Sequence, residues 1–151
     1  MDYVSELRQL VGHRPLILPG SVVIILNHKG EVLLQQRTDG SWGLPGGLME
    51  LGESLEETAR REVYEETGLE LGELTLLDVL SGSDYYLKVA NGDELYSVTA
   101  VYVTKEVKGE LTTISSETLD LRYFDLEDLP KQMAHAYKRH LNVYKTNGMK
   151  K

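Results

Sequence analysis

Two kinds of apolar spacing run through this chain. Val22-Val23-Ile24-Ile25-Leu26 is continuous and rich in β-branched residues, the pattern of a strand buried on both faces. The run reaches back to Leu16, with an interruption expected at Pro19-Gly20. Asn27-His28-Lys29-Gly30 reads as a turn, and Glu31 to Arg37 as the return strand. Leu55, Ala59 and Val63 then recur every four residues, which stripes one face of a helix. Ser54 followed by Glu57 is a capping box, so the helix begins at Leu55. Gly68 suits the position just past its end at Thr67.

The remaining elements follow the same logic. Leu69 to Leu80 reads as a strand kinked near Gly72-Glu73. Ser81 to Asp84 is a loop. Tyr85–Val89 and Glu94–Thr104 form a hairpin around Asn91-Gly92, with both faces of the second strand partly apolar. Lys108-Gly109-Glu110 turns the chain into Leu111–Ile114, and a last strand spans about Leu119 to Phe124. Asp2–Val11 reads as a short amphipathic helix with Val4, Leu7, Leu10 and Val11 on its core side, ended by Gly12. The alternative is that this helix and the segment His13–Gly20 help to form a substrate cleft or a dimer contact. Lys131–Tyr144 reads as a terminal helix burying Met133, Ala134, Tyr137, Leu141 and Tyr144. His135 and His140 are expected at the surface or a helix end, and the tail Lys145–Lys151 is expected to fray. Helices flanking a set of strands imply an α/β class helix–sheet–helix sandwich.

Composition narrows the function. With 151 residues the chain suits one domain, 1–151. The net charge of −8 argues against a stable nucleic-acid partner. It leaves room for a phosphate substrate, since bound divalent cations invert the local sign. Cysteine is absent, which removes disulfides and thiolate metal sites and agrees with a cytoplasmic location. The first residues are too polar for a signal peptide, and no apolar run is long enough for a membrane span.

The chemistry gathers on the helix 55–67. Glu62 with Glu65, and Glu62 with Glu66, are three and four residues apart, so their carboxylates share one face. Like charges at this spacing repel. The bland reading is a solvated acidic face; the functional one is a seat for Mg2+ or Mn2+, hard cations that prefer carboxylate oxygen. Arg61 stands beside the cluster, and Glu53 can fold onto it.

The full stretch is GLMELGESLEETARREVYEETGL, from Gly47 to Leu69. Gly47, Glu53, Arg61-Glu62, Val63, Glu65-Glu66, Gly68 and Leu69 fall at every defined position of the box that marks the Nudix hydrolases, which this stretch resembles. The resemblance implies an α/β/α sandwich with a mixed β-sheet. It also implies metal-dependent hydrolysis of a nucleoside diphosphate linked to another group. By the same resemblance Glu62, Glu65, Glu66 and the Gly46 carbonyl hold Mg2+ or Mn2+. Glu62, Glu65 or Glu117, in the loop before the last strand, activates water. Arg61 pairs with Glu53 to orient the glutamates, while Gly47 and Gly68 serve the backbone.

Outside the box the readings stay open. Arg37 either pairs with a surface acid or grips the substrate phosphates. Trp42 either contacts the substrate base or packs beneath the catalytic loop. Tyr85, Tyr86, Tyr96 and Tyr102 are either strand formers or a stacking platform. Likeness to compact bacterial ADP-ribose pyrophosphatases favours ADP-ribose or another nucleotide-sugar. Nucleoside triphosphates or dinucleoside polyphosphates are the alternatives, and a non-catalytic nucleotide sensor is the alternative of another class. A homodimer is compatible with the family. Specificity is expected in the loops Pro15–Gly20, Ser81–Asp84 and Lys105–Glu117.

Overall fold

A computed structural model describes residues 2–112 and 115–148. The expected stretch at Thr113–Ile114 and the chain end at 149–151 lie outside the described residues. The apolar run becomes β1 (Leu16–Ile25), paired in parallel along its length with β8 (Glu94–Thr104). The interruption expected at Pro19-Gly20 does not occur. The Pro19 carbonyl still accepts the Met49 N–H at 3.0 Å, and the ladder continues on either side of the missing donor.

A five-stranded mixed sheet is built around that pair. On one side of it, β4 (Gly46–Leu48) lies antiparallel to β1; on the other, β6 (Thr75–Leu80) and β7 (Tyr86–Lys88) lie antiparallel to β8. A second sheet joins β10 (Thr118–Phe124), β2 (Val32–Arg37) and β3 (Trp42–Gly43). The kinked strand expected over 69–80 is two strands. Its first part, β5 (Glu70–Leu71), pairs instead with β9 (Val107–Lys108). The chain leaves the ladder at Gly72, whose N–H donates to the Glu106 carbonyl at 2.8 Å.

Alternation along β1 divides the core. Val23 and Ile25 pack with Ala59 and Val63 of α2 (Leu55–Thr67), while Val22 and Ile24 pack with Leu141 of α3 (His135–Val143). The sheet is thus covered on both faces. α2 has the expected bounds: Ser54 and Glu57 form the reciprocal cap, and Gly68 closes the helix at φ 79°.

The terminal helices depart from expectation. α3 starts at His135, because the preceding residues run extended past β3, where the Trp42 N–H donates to the Gln132 carbonyl at 2.8 Å. His140, expected at the surface, is buried, and neither ring nitrogen has a partner. His135 is exposed as expected. Of the side chains expected to bury along this helix, Met133 and Leu141 do so, whereas Ala134 stays exposed. α1 (Tyr3–Val11) buries no residue, so its apolar stripe is not core. Polar contacts hold it instead: Arg8 donates to the Glu94 carbonyl at 2.6 Å, and the Tyr3 N–H to Glu50 at 2.9 Å. Among the described residues no helix is long and apolar enough to cross a membrane.

Burial has a consequence for His140. Loss of solvent holds its imidazole down at about 4, from an ordinary 6.5. The unfolded chain therefore takes up a proton on this side chain at a higher pH than the folded one. Stability from this residue is complete above pH 6.5 and declines as the pH falls towards 4, by on the order of 3 kcal/mol. Urea denaturation across that range is expected to show the decline, and His140→Leu to flatten it between pH 6.5 and 5, above most carboxylate titration. An unchanged slope in the variant contradicts the assignment.

Candidate active site

The α2 carboxylates meet the β4 turn because two ties fix the helix against the sheet. The Ser21 hydroxyl donates to the Leu55 carbonyl at 2.6 Å, and Arg61 donates to the Leu48 carbonyl at 3.0 Å. Glycines at 46 and 47 permit the close approach. A Cβ on Gly46 would stand 2.1 Å from the Ser21 carbonyl oxygen, and one on Gly47 would stand 2.4 Å from the Glu62 carboxyl carbon.

The result is a cavity of about 630 Å³, walled by Glu62, Glu65, Glu66 and Glu117, with Arg37, Arg61, Gly46 and Gly47 around them. Glu50 and Asp2 also line it, at the approach of α1. Sequence reasoning did not single out these two. Neither has a helical spacing to the cluster, so no local signal marks them.

Each carboxylate has a distinct environment. Glu66 is 4% exposed and accepts the Gly46 N–H at 2.9 Å. Burial pushes it up to about 7, against the opposing pull of the Gly46 N–H and of Arg37. Glu62 is also raised by burial, offset by its hydrogen bond from Arg61 at 2.8 Å. Glu65 stands 3.5 Å from the same guanidinium. Glu53 receives two hydrogen bonds from Arg61, at 2.6 and 2.9 Å, and these hold it down at about 2. Arg61 thus joins Glu53, Glu62 and β4 through one planar group, a geometry that lysine cannot reproduce.

Among the described residues no three His, Asp or Glu side chains converge tightly enough to form a ready-made cation cage. Glu62 is hydrogen-bonded to Arg61 and Glu66 to the Gly46 N–H. The donor set nevertheless fits a hard divalent ion. Six carboxylates, those of Asp2, Glu50, Glu62, Glu65, Glu66 and Glu117, share one cavity, and a cation would relieve the two whose burial disfavours ionisation, Glu62 and Glu66.

Arg37 sits at the edge of this cavity, its guanidinium donating to the Tyr137 hydroxyl at 2.7 Å. It has no acidic partner among the ion pairs of the described residues. Trp42 is not at the site. It is buried in the core, edge-on to Phe124 at 4.9 Å between ring centres, and lines neither this cavity nor the cleft beside it. A large aromatic next to Gly43 gains more from core contact than from solvent, so packing prevails over a substrate contact. Tyr85, Tyr86, Tyr96 and Tyr102 likewise line neither space.

Several known proteins are similar to this chain. The model of the NUDIX domain matches residues 17–144. A protein of Methanocaldococcus jannaschii named ADP-ribose pyrophosphatase is 32% identical over 133 residues, covering 85% of this chain and 75% of its own. A Bacillus subtilis protein named putative 8-oxo-dGTP diphosphatase is 32% identical over 127 residues, covering 83% and 78%. The crystal structure of a MutT NUDIX hydrolase from Burkholderia pseudomallei superposes with a TM-score of 0.73 at 32% identity, covering 86% of this chain and 98% of that one.

Proposed function

We propose, since this chain belongs to the Nudix hydrolase family, whose members act on pyrophosphate bonds, that it splits ADP-ribose or a related nucleotide-sugar with the help of Mg2+ or Mn2+. The observation that carries the reading is the acidic cavity: the α2 glutamates and Glu117 face one space, with the Arg37 guanidinium, which has no acidic partner among the ion pairs of the described residues, at its edge. The Methanocaldococcus relative supports the choice of substrate by its name. The Bacillus relative supports the alternative, a nucleoside triphosphate.

The roles follow from the chemistry. Glu62, Glu65, Glu66 and the Gly46 carbonyl are the groups that would hold the ion. When bound, the ion offsets the negative charge that keeps nucleophiles away from a pyrophosphate. Arg61, clamped to Glu53, fixes the direction of Glu62 and Glu65. Glu62, Glu65 or Glu117 accepts the proton of the attacking water through a carboxylate oxygen. Arg37 binds a phosphate oxygen, as a guanidinium does well.

Gly47→Ala tests the positioning. The new methyl pushes on the Glu62 carboxyl group, which lies at the free end of its side chain and can yield. The fold is expected to persist, while kcat falls roughly tenfold, short of the ~10²-fold that a full 1 Å displacement can cost. Steady-state kinetics beside a melting curve separates the two effects; an unaltered kcat removes Glu62 from the reaction.

The function itself is tested by incubating the protein with Mg2+ and a nucleotide panel and identifying the products. AMP plus ribose 5-phosphate from ADP-ribose is the expected outcome. A nucleoside monophosphate plus pyrophosphate, from a triphosphate alone, selects the alternative substrate. Tight binding without turnover across the panel identifies a sensor and overturns the enzymatic reading of this chain.

A further inference from the structure

Gln35 is out of keeping with its strand. Val32, Leu33 and Leu34 of β2 are buried and apolar, and Gln35 beside them is 0% exposed yet carries an amide. Its Nε2 donates to the Thr118 hydroxyl at 2.7 Å, while its Oε1 is buried and meets no donor among the described residues. A buried acceptor left unmet is costly, so an apolar side chain of the same length would serve packing better. Packing therefore does not account for the amide, and what it holds must.

Three parts of the site meet there. Gln35 and Arg37 are two residues apart on β2 and point to one face of it, the face shared by Thr118, which pairs with Arg37. Glu66 lies against the same amide, which favours its charged form. Thr118 is buried at the start of β10, and Glu117, just before it, is exposed and lines the acidic cavity. The pairing of β10 with β2 shifts between Thr118 and Asp120, so Leu119 has no partner in the ladder and stands 56% exposed. A bulge of this kind bends the strand and re-aims the side chains beside it. The ladder is thus irregular next to Glu117. Gln35, opposite Leu121, reaches past the bulge to Thr118 and fastens the strand on its far side. By contrast, the bond from the Glu117 N–H to the Ser115 hydroxyl, at 3.1 Å, stays within the loop.

We propose that Gln35 is a positioning residue for hydrolysis: through Thr118 it holds Glu117 at the wall of the acidic cavity, in a fixed relation to Glu66. The inference rests on the acidic cavity being the place of reaction, and it adds a residue that lies behind the walls of that cavity rather than in them.

Variants of the full-length protein separate positioning from packing. Gln35→Met keeps the length of the side chain and removes the tie; Thr118→Val removes it from the other end. Each is expected to lower kcat about tenfold with little change in KM. Because both break one bond, the double variant is expected to lose no more than either alone. Thr118→Ser, which keeps the hydroxyl, is expected to retain the wild-type kcat. Stability follows a different course. Each single variant leaves a buried polar group unpaired and lowers the melting temperature, whereas the double variant leaves none and recovers it. Recovery of kcat along with stability in the double variant means that the tie only supports packing, and overturns the proposal. The metal-free protein gives a readout independent of turnover. The backbone amide order parameter of Glu117, from NMR relaxation, is expected to fall in Gln35→Met and in Thr118→Val and to hold in Thr118→Ser. An unmoved order parameter, or an unchanged kcat in Gln35→Met, also overturns the proposal; should that variant fail to fold, Thr118→Val supplies both measurements. A wild type that hydrolyses nothing overturns the enzymatic reading instead, and the order parameter of Glu117 then decides the tie by itself.

Discussion

Glu66→Gln is expected to lower kcat by at least about 10²-fold while leaving the protein as stable as before, or more so. Glutamine keeps an oxygen to accept the Gly46 N–H, so the contact between α2 and β4 survives. What disappears is a buried negative charge whose ionisation the site disfavours, up to about 7. Removing it relieves a desolvation cost in the metal-free protein. The second half of the expectation concerns the ion. Wild type should gain melting temperature when Mg2+ or Mn2+ is added, because a ligand that binds only the folded state stabilises it. The variant should gain less. Kinetics and paired melting curves with and without the ion check both parts. Undiminished activity on every cleaved substrate contradicts the role given to Glu66.

Gly46→Ala is expected to damage the fold itself. The added Cβ would lie 2.1 Å from the Ser21 carbonyl oxygen and 2.8 Å from the Val22 Cα, atoms of a buried central strand. No side chain can swing away to make room, in contrast to position 47. Gly46 also holds φ at 156°, which side-chain-bearing residues rarely adopt. To relieve the contact, β4 must separate from β1, and the Glu66 hydrogen bond goes with it. A loss of about 3 kcal/mol or more follows, or roughly 6–12 °C in melting temperature for a chain of this size. Thermal denaturation followed by circular dichroism measures it. An alanine variant that melts with the wild type means the β1–β4 contact is looser than described.

How much of this was legible in the sequence depends on how local each signal is. The bounds of α2 come from a reciprocal cap at Ser54 and Glu57 and from a left-handed glycine at 68, all within one or two turns of the helix. The hairpin around Asn91-Gly92 is local in the same sense. Long-range pairing was harder to read. The segment 69–80 looks like one kinked strand, and only the pull of Glu106 on the Gly72 and Glu73 N–H groups divides it between two sheets. α1 has an amphipathic stripe, yet Arg8 and Tyr3 dock it through polar contacts and leave Leu10 in solvent.

Site residues divide the same way. The α2 glutamates and Arg61 were visible because helical spacing alone brings them together. The type of Trp42 favours packing over a substrate contact without deciding between them; its burial is decided by Phe124 and by the extended residues before α3. His140 was misplaced because its burial depends on the sheet lying beneath α3. The one available hint was its spacing of three from Tyr137, which puts both on one helix face.

The central claim is that the glutamates of α2 are gathered to hold a divalent cation beside the β4 turn. The most direct measurement is anomalous diffraction from crystals of the protein grown with Mn2+. The account predicts strong anomalous density in the acidic cavity, within ligand distance of Glu62, Glu65 or Glu66 and of the Gly46 carbonyl. Crystals rich in Mn2+ that show no ion there, with those side chains turned out to solvent, would contradict it.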